Sequence, residues 1–196
     1  IIIILILPEY NAVVMFCLIP ALVVGLLEDF KHNISIKLRL LLTFITALLL
    51  IFFTDSRLVN IDIEWFNSII EITFFGILIS AVGITVSANA WNFIDGLNGL
   101  ASGLGIQALV AISILAHFDK NYELFLILVI ISISILGFFI LNIFTGKIFL
   151  GDSGAYIIGS IVAWGGLELT KNSIVISPWA VFLIIIYPAT EITFSV

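Results

Sequence analysis

The segment 88-ANAWNFIDGLNGLASG-103 puts three asparagines, an aspartate and three glycines into sixteen residues of a chain that is 62% hydrophobic and 10% charged. Two other acidic sites interrupt apolar runs, the Glu28-Asp29 pair and Asp152 after Gly151. Carboxylate and amide oxygens are the ligands that hard divalent cations prefer, and Mg²⁺ in particular grips phosphates while keeping several of its waters. Glycines such as Gly96, Gly99 and Gly151 let backbone come close to a ligand, and a helix start offers N–H groups to a phosphate oxygen. Neither 96-GLNGLASG-103 nor 146-GKIFLGDSG-154 matches a nucleotide-binding fingerprint. His32 is the only histidine near the group, so the usual zinc ligand sets are missing. Cys17 stands alone in an apolar run and supports neither a disulfide nor a thiolate site.

These residues must be positioned by membrane helices. A mean hydropathy of +1.33 with so little charge lies far from the soluble range. Apolar runs predict seven complete spans, at about 12–28, 37–53, 69–87, 100–117, 123–144, 153–169 and 176–194, with residues 1–7 as the tail of an eighth. The expected fold is an all-α polytopic transmembrane bundle, forming one catalytic domain over 1–196. The chain opens on IIIILIL without an initiator Met or a recognisable signal peptide and stops inside an apolar run, so it reads as the middle of a longer protein, truncated at both ends.

Polar breaks that alternate along such a chain must share a face. One face then collects 29–35, 88–99 and 145–152; the other collects 8–11, 54–67, 118–122 and 170–173. A single carboxylate where a span meets water is as readily a solvated cap as a functional group. Glu28-Asp29, Asp95 and Asp152 all fall on the first face, embedded in Gly- and Asn-rich sequence. The residues alone therefore lead to Mg²⁺-dependent phosphate chemistry at a membrane surface. The alternative class is a transporter or channel, but transporters place coupling carboxylates near the bilayer midplane on broken helices, and these acids sit at span ends. Gly99 with Gly103, and Ala101 with Gly105, have the small-x-x-x-small spacing that admits a close neighbouring helix.

Three segments, 25-GLLEDFKHNISIKLRL-40, 89-NAWNFIDGLNGLASG-103 and 148-IFLGDSGAYIIG-159, resemble the ordered cytosolic motifs of the polyprenyl-phosphate N-acetylhexosamine-1-phosphate transferases. That family includes bacterial enzymes that start O-antigen, enterobacterial common antigen and teichoic acid linkage synthesis, and the phospho-MurNAc-pentapeptide transferase of peptidoglycan. The resemblance implies transfer of a sugar-1-phosphate, with N-acetylglucosamine the expected sugar, from a UDP-sugar to undecaprenyl phosphate, releasing UMP. It implies Mg²⁺, with Mn²⁺ as an alternative, and an active site on the cytoplasmic face of the bacterial inner membrane.

By position, Asp152 resembles the family's metal ligand, and Asp29 the second carboxylate of its Asp-Asp pair, acting on or positioning the lipid phosphate. Asn92 and Asp95 resemble residues lining the diphosphate and metal site, with Asn89 beside them; Asn98 falls near the nucleoside; Asn142 and Phe149 sit where relatives hold uracil. Glu28 departs from the family's Asp, keeping the charge and adding a methylene. The first and last cytosolic loops of the family would precede Ile1 and follow Val196. Implied partners are the UDP-sugar, undecaprenyl phosphate and membrane lipid, with a homodimer as a further option and no nucleic acid.

Overall fold

The computed structural model describes residues 9–194, so the partial span expected at 1–7 lies outside the described residues. All regular structure among them is helical: α1 Glu9–Cys17, α2 Ile19–Lys31, α3 Ile36–Thr54, α4 Glu64–Ile70, α5 Thr73–Ile94, α6 Leu100–Phe118, α7 Tyr122–Thr145, α8 Gly151–Thr170, α9 Pro178–Ile184 and α10 Ile186–Phe194. Four of these, α3, α5, α6 and α7, are by themselves long and apolar enough to cross a membrane. The fold is the expected all-α polytopic transmembrane bundle.

Three boundaries differ from the sequence reading, each for a local reason. The run 12–28 is delivered as α1 and α2, joined at Leu18, with Pro20 in the first turn of α2. Proline supplies no N–H and resists the helix interior. At this joint the Ala21 N–H donates across to Thr46 Oγ1 of α3, 2.9 Å away, which keeps a buried donor satisfied. The run 176–194 breaks at Ile185, because the ring of Pro188 would clash with the carbonyl four residues earlier, that of Ile184.

The third difference concerns the motif segment itself. Residues 88–94 are not part of a loop but the last two turns of α5, and only 95–99 turn. Asn89 is accommodated because its amide donates to the carbonyl of Thr85, one turn back, at 2.8 Å. A further short helix, α4, occupies part of the polar stretch between α3 and α5.

Helix α8 is the centre of the bundle, packing on α2, α3, α5, α6, α7 and α9. Its neighbours come close because the contact positions are glycines. A methyl group at Gly25 of α2 would stand 2.2 Å from the Ser153 Cα, and one at Gly159 of α8 would stand 2.6 Å from the Ser87 carbonyl oxygen of α5. The small residues predicted for packing do the same work between α6 and its neighbours: Gly99 and Gly103 receive the ring of Phe139 from α7, and Gly105 receives Ile158 from α8. Trp91, Trp164 and Tyr156 are the largest fully buried side chains, each filling volume that these close backbones leave.

The two ends predicted from loop parity are both visible. At one end Asp29 reaches Asp152 and Ser153. At the other, Lys171 donates to the Thr54 carbonyl and Ser173 donates to Asp119.

Candidate active site

The site is built where the C-terminal ends of α2 and α5 meet the start of α8. Helix α2 ends with His32 in a left-handed conformation, closed by a hydrogen bond from its N–H to the Glu28 carbonyl. This turns the chain into α3, whose N-cap Ser35 accepts from the Leu38 N–H at 3.3 Å. Helix α7 ends in left-handed Gly146, and its buried Asn142 donates to the Ile148 carbonyl at 2.6 Å. The strand of loop that precedes Asp152 is thereby held in place.

Asp29 is the hinge of the assembly. Its carboxylate accepts from the Asp152 N–H at 2.8 Å, the Ser153 N–H at 3.3 Å and the Ser153 hydroxyl at 2.9 Å. A helix start leaves unpaired N–H groups and a partial positive charge, and a carboxylate from another helix satisfies both. Gly151 makes the approach feasible: its φ is +70°, and a Cβ there would lie 2.8 Å from Asp29 Oδ2. The N–H groups that were expected to be available for a phosphate oxygen at this helix start are thus already taken by the protein's own carboxylate.

Asp152 and Asp95 face one another across this joint. Asp95 is pushed up to about 6, first by burial and then by the negative charges of Asp152 and Asp29. The Asp152 carboxyl is also raised, mainly by burial and further by Asp29 and Glu28, against the opposing pull of a hydrogen bond from Asn92 and the charge of Arg39. Carboxylates held close without enough positive charge between them favour a proton or a cation.

Glu28 is tethered separately: it accepts from the Ile34 N–H at 2.8 Å and lies 4.0 Å from Arg39. Arg39, in the first turns of α3, also donates to the buried hydroxyl of Tyr156, one turn into α8 from Asp152. Arg39 and Tyr156 are the residues that the sequence reading missed as site components. Both lie inside the quoted motif segments, but nothing in their spacing says that a residue of α3 and one of α8 will meet.

The structure therefore brings together Glu28, Asp29, Asn92, Asp95 and Asp152. Asn89 is placed one turn deeper, where its amide donates to Thr43 of α3 as well as to Thr85. Asn98 is exposed and lies beside Gly146 at the end of α7. Phe149 is 76% exposed on the adjoining loop, a ring face free to stack on a planar ligand. Asn142 is buried, its amide spent on the Ile148 carbonyl of that loop.

No three His, Cys, Asp or Glu side chains among the described residues form a ready-made metal cage. Mg²⁺ does not need one, since one or two carboxylates plus substrate phosphates commonly suffice. Asp95, Asp152 and Asn92 are an oxygen-only donor set of that kind, and the burial and neighbouring negative charge that raise both aspartates are what a divalent cation would offset.

Comparison with known proteins places most of the chain in one family. The model of the family described as glycosyl transferase family 4 matches residues 11–170. A Methanocaldococcus jannaschii protein that carries a provisional glycosyltransferase name is 32% identical over 94% of this chain and 54% of its own length. The phospho-N-acetylmuramoyl-pentapeptide-transferase of Lactobacillus gasseri is 32% identical over 83% of this chain and 51% of its own. A Bacillus subtilis protein provisionally named undecaprenyl-phosphate N-acetylglucosaminyl 1-phosphate transferase is 28% identical over 89% of this chain and 49% of its own. The chain spans about half the length of the curated relatives it matches. With all three acidic segments inside the matched region and joined at one end of the bundle, the chain belongs to glycosyl transferase family 4.

Proposed function

We propose that the protein transfers a sugar-1-phosphate, N-acetylglucosamine-1-phosphate in the first instance, from a UDP-sugar to undecaprenyl phosphate, at the cytoplasmic face of a bacterial inner membrane. The reading rests on the single observation that Asp29 and the Asp152 N–H, 123 residues apart, are in contact beside Asp95. The named relatives support the substrate class: one acts on phospho-N-acetylmuramoyl-pentapeptide and another is named for undecaprenyl phosphate.

The acceptor is a phosphate monoester, largely dianionic at neutral pH. One of its oxygens attacks the phosphorus attached to the sugar; the bond from that phosphorus to the bridging oxygen breaks, and UMP leaves with the electron pair. Bound Mg²⁺, or Mn²⁺ in its place, supplies charge neutralisation for the diphosphate. Asp152 and Asp95 would hold the cation through oxygen, with Asn92 orienting Asp152 by its hydrogen bond. Asp29 positions Asp152 by fixing the start of α8, and Glu28 keeps Arg39 near the site, where a guanidinium can meet phosphate. Phe149 and Asn98, exposed on neighbouring loops, are suited to the nucleoside.

The test is UMP release from UDP-N-acetylglucosamine by the full-length protein, with and without undecaprenyl phosphate and Mg²⁺. Activity is expected only with all three, and Asp152→Ala should reduce it by about 100-fold or more. Full activity of Asp152→Ala would remove the metal assignment, and a panel of UDP-sugars identifies the donor.

A further inference from the structure

At the end of the bundle away from Asp152, a cavity of about 420 Å³ opens between α5, α8 and α9. Its wall on α8 includes Gly166 and Thr170, fourteen and eighteen residues beyond Asp152, roughly 20–27 Å along the helix axis at 1.5 Å per residue. It is a separate feature from the acidic site. The lining is apolar, with Ile79, Gly83, Ala163, Val181 and Phe182 prominent. The two hydroxyls that border it are already spent: Ser80 accepts from the Leu58 N–H and donates to the Gly76 carbonyl, and Thr170 donates to the Gly166 carbonyl. A space of this size with no unmet polar atom suits hydrocarbon rather than water. Gly83 keeps its side open, since a Cβ there would touch nothing within 4 Å.

Arg57 stands at the rim. Its guanidinium lies against Gly76, 3.3 Å from where a Cβ would be, which is one turn of α5 from Ile79 and Ser80 in the cavity wall. Arg57 is half-buried and, among the described residues, makes no hydrogen bond and no ion pair. The neighbouring cation Lys171 is by contrast paired with Glu168 at 2.8 Å. A guanidinium left unpaired next to an apolar slot presents the two halves of one ligand, an anionic phosphate head and a hydrocarbon tail. The indole of Trp179, hydrogen-bonded to the Ile61 carbonyl at 2.8 Å, closes the same rim with the kind of amphipathic ring that settles at membrane interfaces.

We propose that this cavity is a binding site for one anionic bilayer phospholipid, its phosphate on Arg57 and one acyl chain between α5 and α9. The site is independent of the transfer reaction, so its test reads lipid retention and not activity. The full-length protein, stripped of lipid in detergent, is incubated with phosphatidylglycerol or with phosphatidylcholine and examined by native mass spectrometry. One phosphatidylglycerol is expected to be retained, with phosphatidylcholine weaker by about fivefold. Arg57→Gln should abolish that preference, Gly83→Leu should reduce retention of both lipids, and Val82→Leu, on an exposed part of α5 outside the cavity, should change neither. A photoreactive side chain at position 83 should crosslink to lipid. Equal retention of the two lipids, an unaltered preference in Arg57→Gln, no effect of Gly83→Leu, or crosslinking of position 83 to protein would each overturn the proposal.

Discussion

At the scale of single residues, the site is defined by carboxylates with different duties. Asp29 is consumed by hydrogen bonds to the start of α8, whereas Asp95 and Asp152 are left to repel one another. The consequence is sharpest at Asp95, whose pKa is raised from 3.8 to about 6. In the metal-free protein, folded Asp95 keeps a proton through a range in which the unfolded chain has already lost it. Its contribution to stability is therefore fully present below pH 3.8 and is lost as pH rises through about 6. A divalent cation bound to the deprotonated form would reverse the sign above that pH. The expected result is that Mg²⁺ raises the melting temperature at pH 7.5 and has little effect at pH 5. Asp95→Asn, which cannot titrate, should show a flatter dependence on both pH and metal. Thermal melts of the two proteins in chelator and in Mg²⁺ check this. Identical profiles for wild type and Asp95→Asn would count against a perturbed Asp95.

At the scale of elements, the site depends on how tightly α2 and α8 pack. Gly25 is one turn before Asp29, and its missing side chain lets the α2 backbone rest on Ser153. Gly25→Ala must push the helices apart, because the added methyl would meet backbone that cannot rotate away. A cost of about 1–3 kcal/mol is expected from such overpacking. The same displacement draws Asp29 away from Asp152, so activity should fall further than stability alone accounts for. Gly83→Ala on α5, with open space around it, is the control. Melting temperature and transfer rate measured on both variants separate the two effects. Much of this arrangement was legible in the sequence. Apolar run lengths gave the all-α class, loop parity put Asp29, Asp95 and Asp152 on one face, and small-residue spacing pointed to a close neighbouring helix along α6, where the structure seats Phe139 of α7 against Gly99 and Gly103. The end of α5 was not legible, because Asn89 and Asn92 look like loop formers until Thr85 is seen to accept the Asn89 amide. Nor was the Arg39–Tyr156 contact, which depends on the relative rotation of α3 and α8.

At the scale of the whole molecule, the two ends of the bundle handle their buried acids in opposite ways. The acidic end leaves Asp95 and Asp152 undercompensated. The other end leaves Arg57 unpaired among the described residues but closes its buried acid: Glu168 pairs with Lys171 and accepts from the Ser56 hydroxyl, Lys171 also donates to the Thr54 carbonyl, and Trp164 donates to the Thr54 hydroxyl at 3.0 Å. These bonds tie the end of α3 to the end of α8, the same two helices that supply Arg39 and Asp152 at the site. A fixed far end limits how the helices can pivot at the near one. Removing one partner of such a pair leaves the other charge in poorly solvated surroundings, a loss of about 3–5 kcal/mol when the pair is fully buried. Lys171 is partly exposed, with 19% of its side-chain surface accessible, so Glu168→Ala should fall toward the lower part of that range. Glu168→Gln retains the acceptor for Ser56 and should lose less. Because Glu168 is four helical turns from Asp152, about 24 Å, neither change should alter Mg²⁺ dependence in protein that remains folded. Melting temperatures of the two variants, paired with Mg²⁺ titrations of transfer activity below the melting transition, test that division. A shift in the Mg²⁺ requirement of folded Glu168→Gln would mean that the far end also sets the geometry of Asp95 and Asp152.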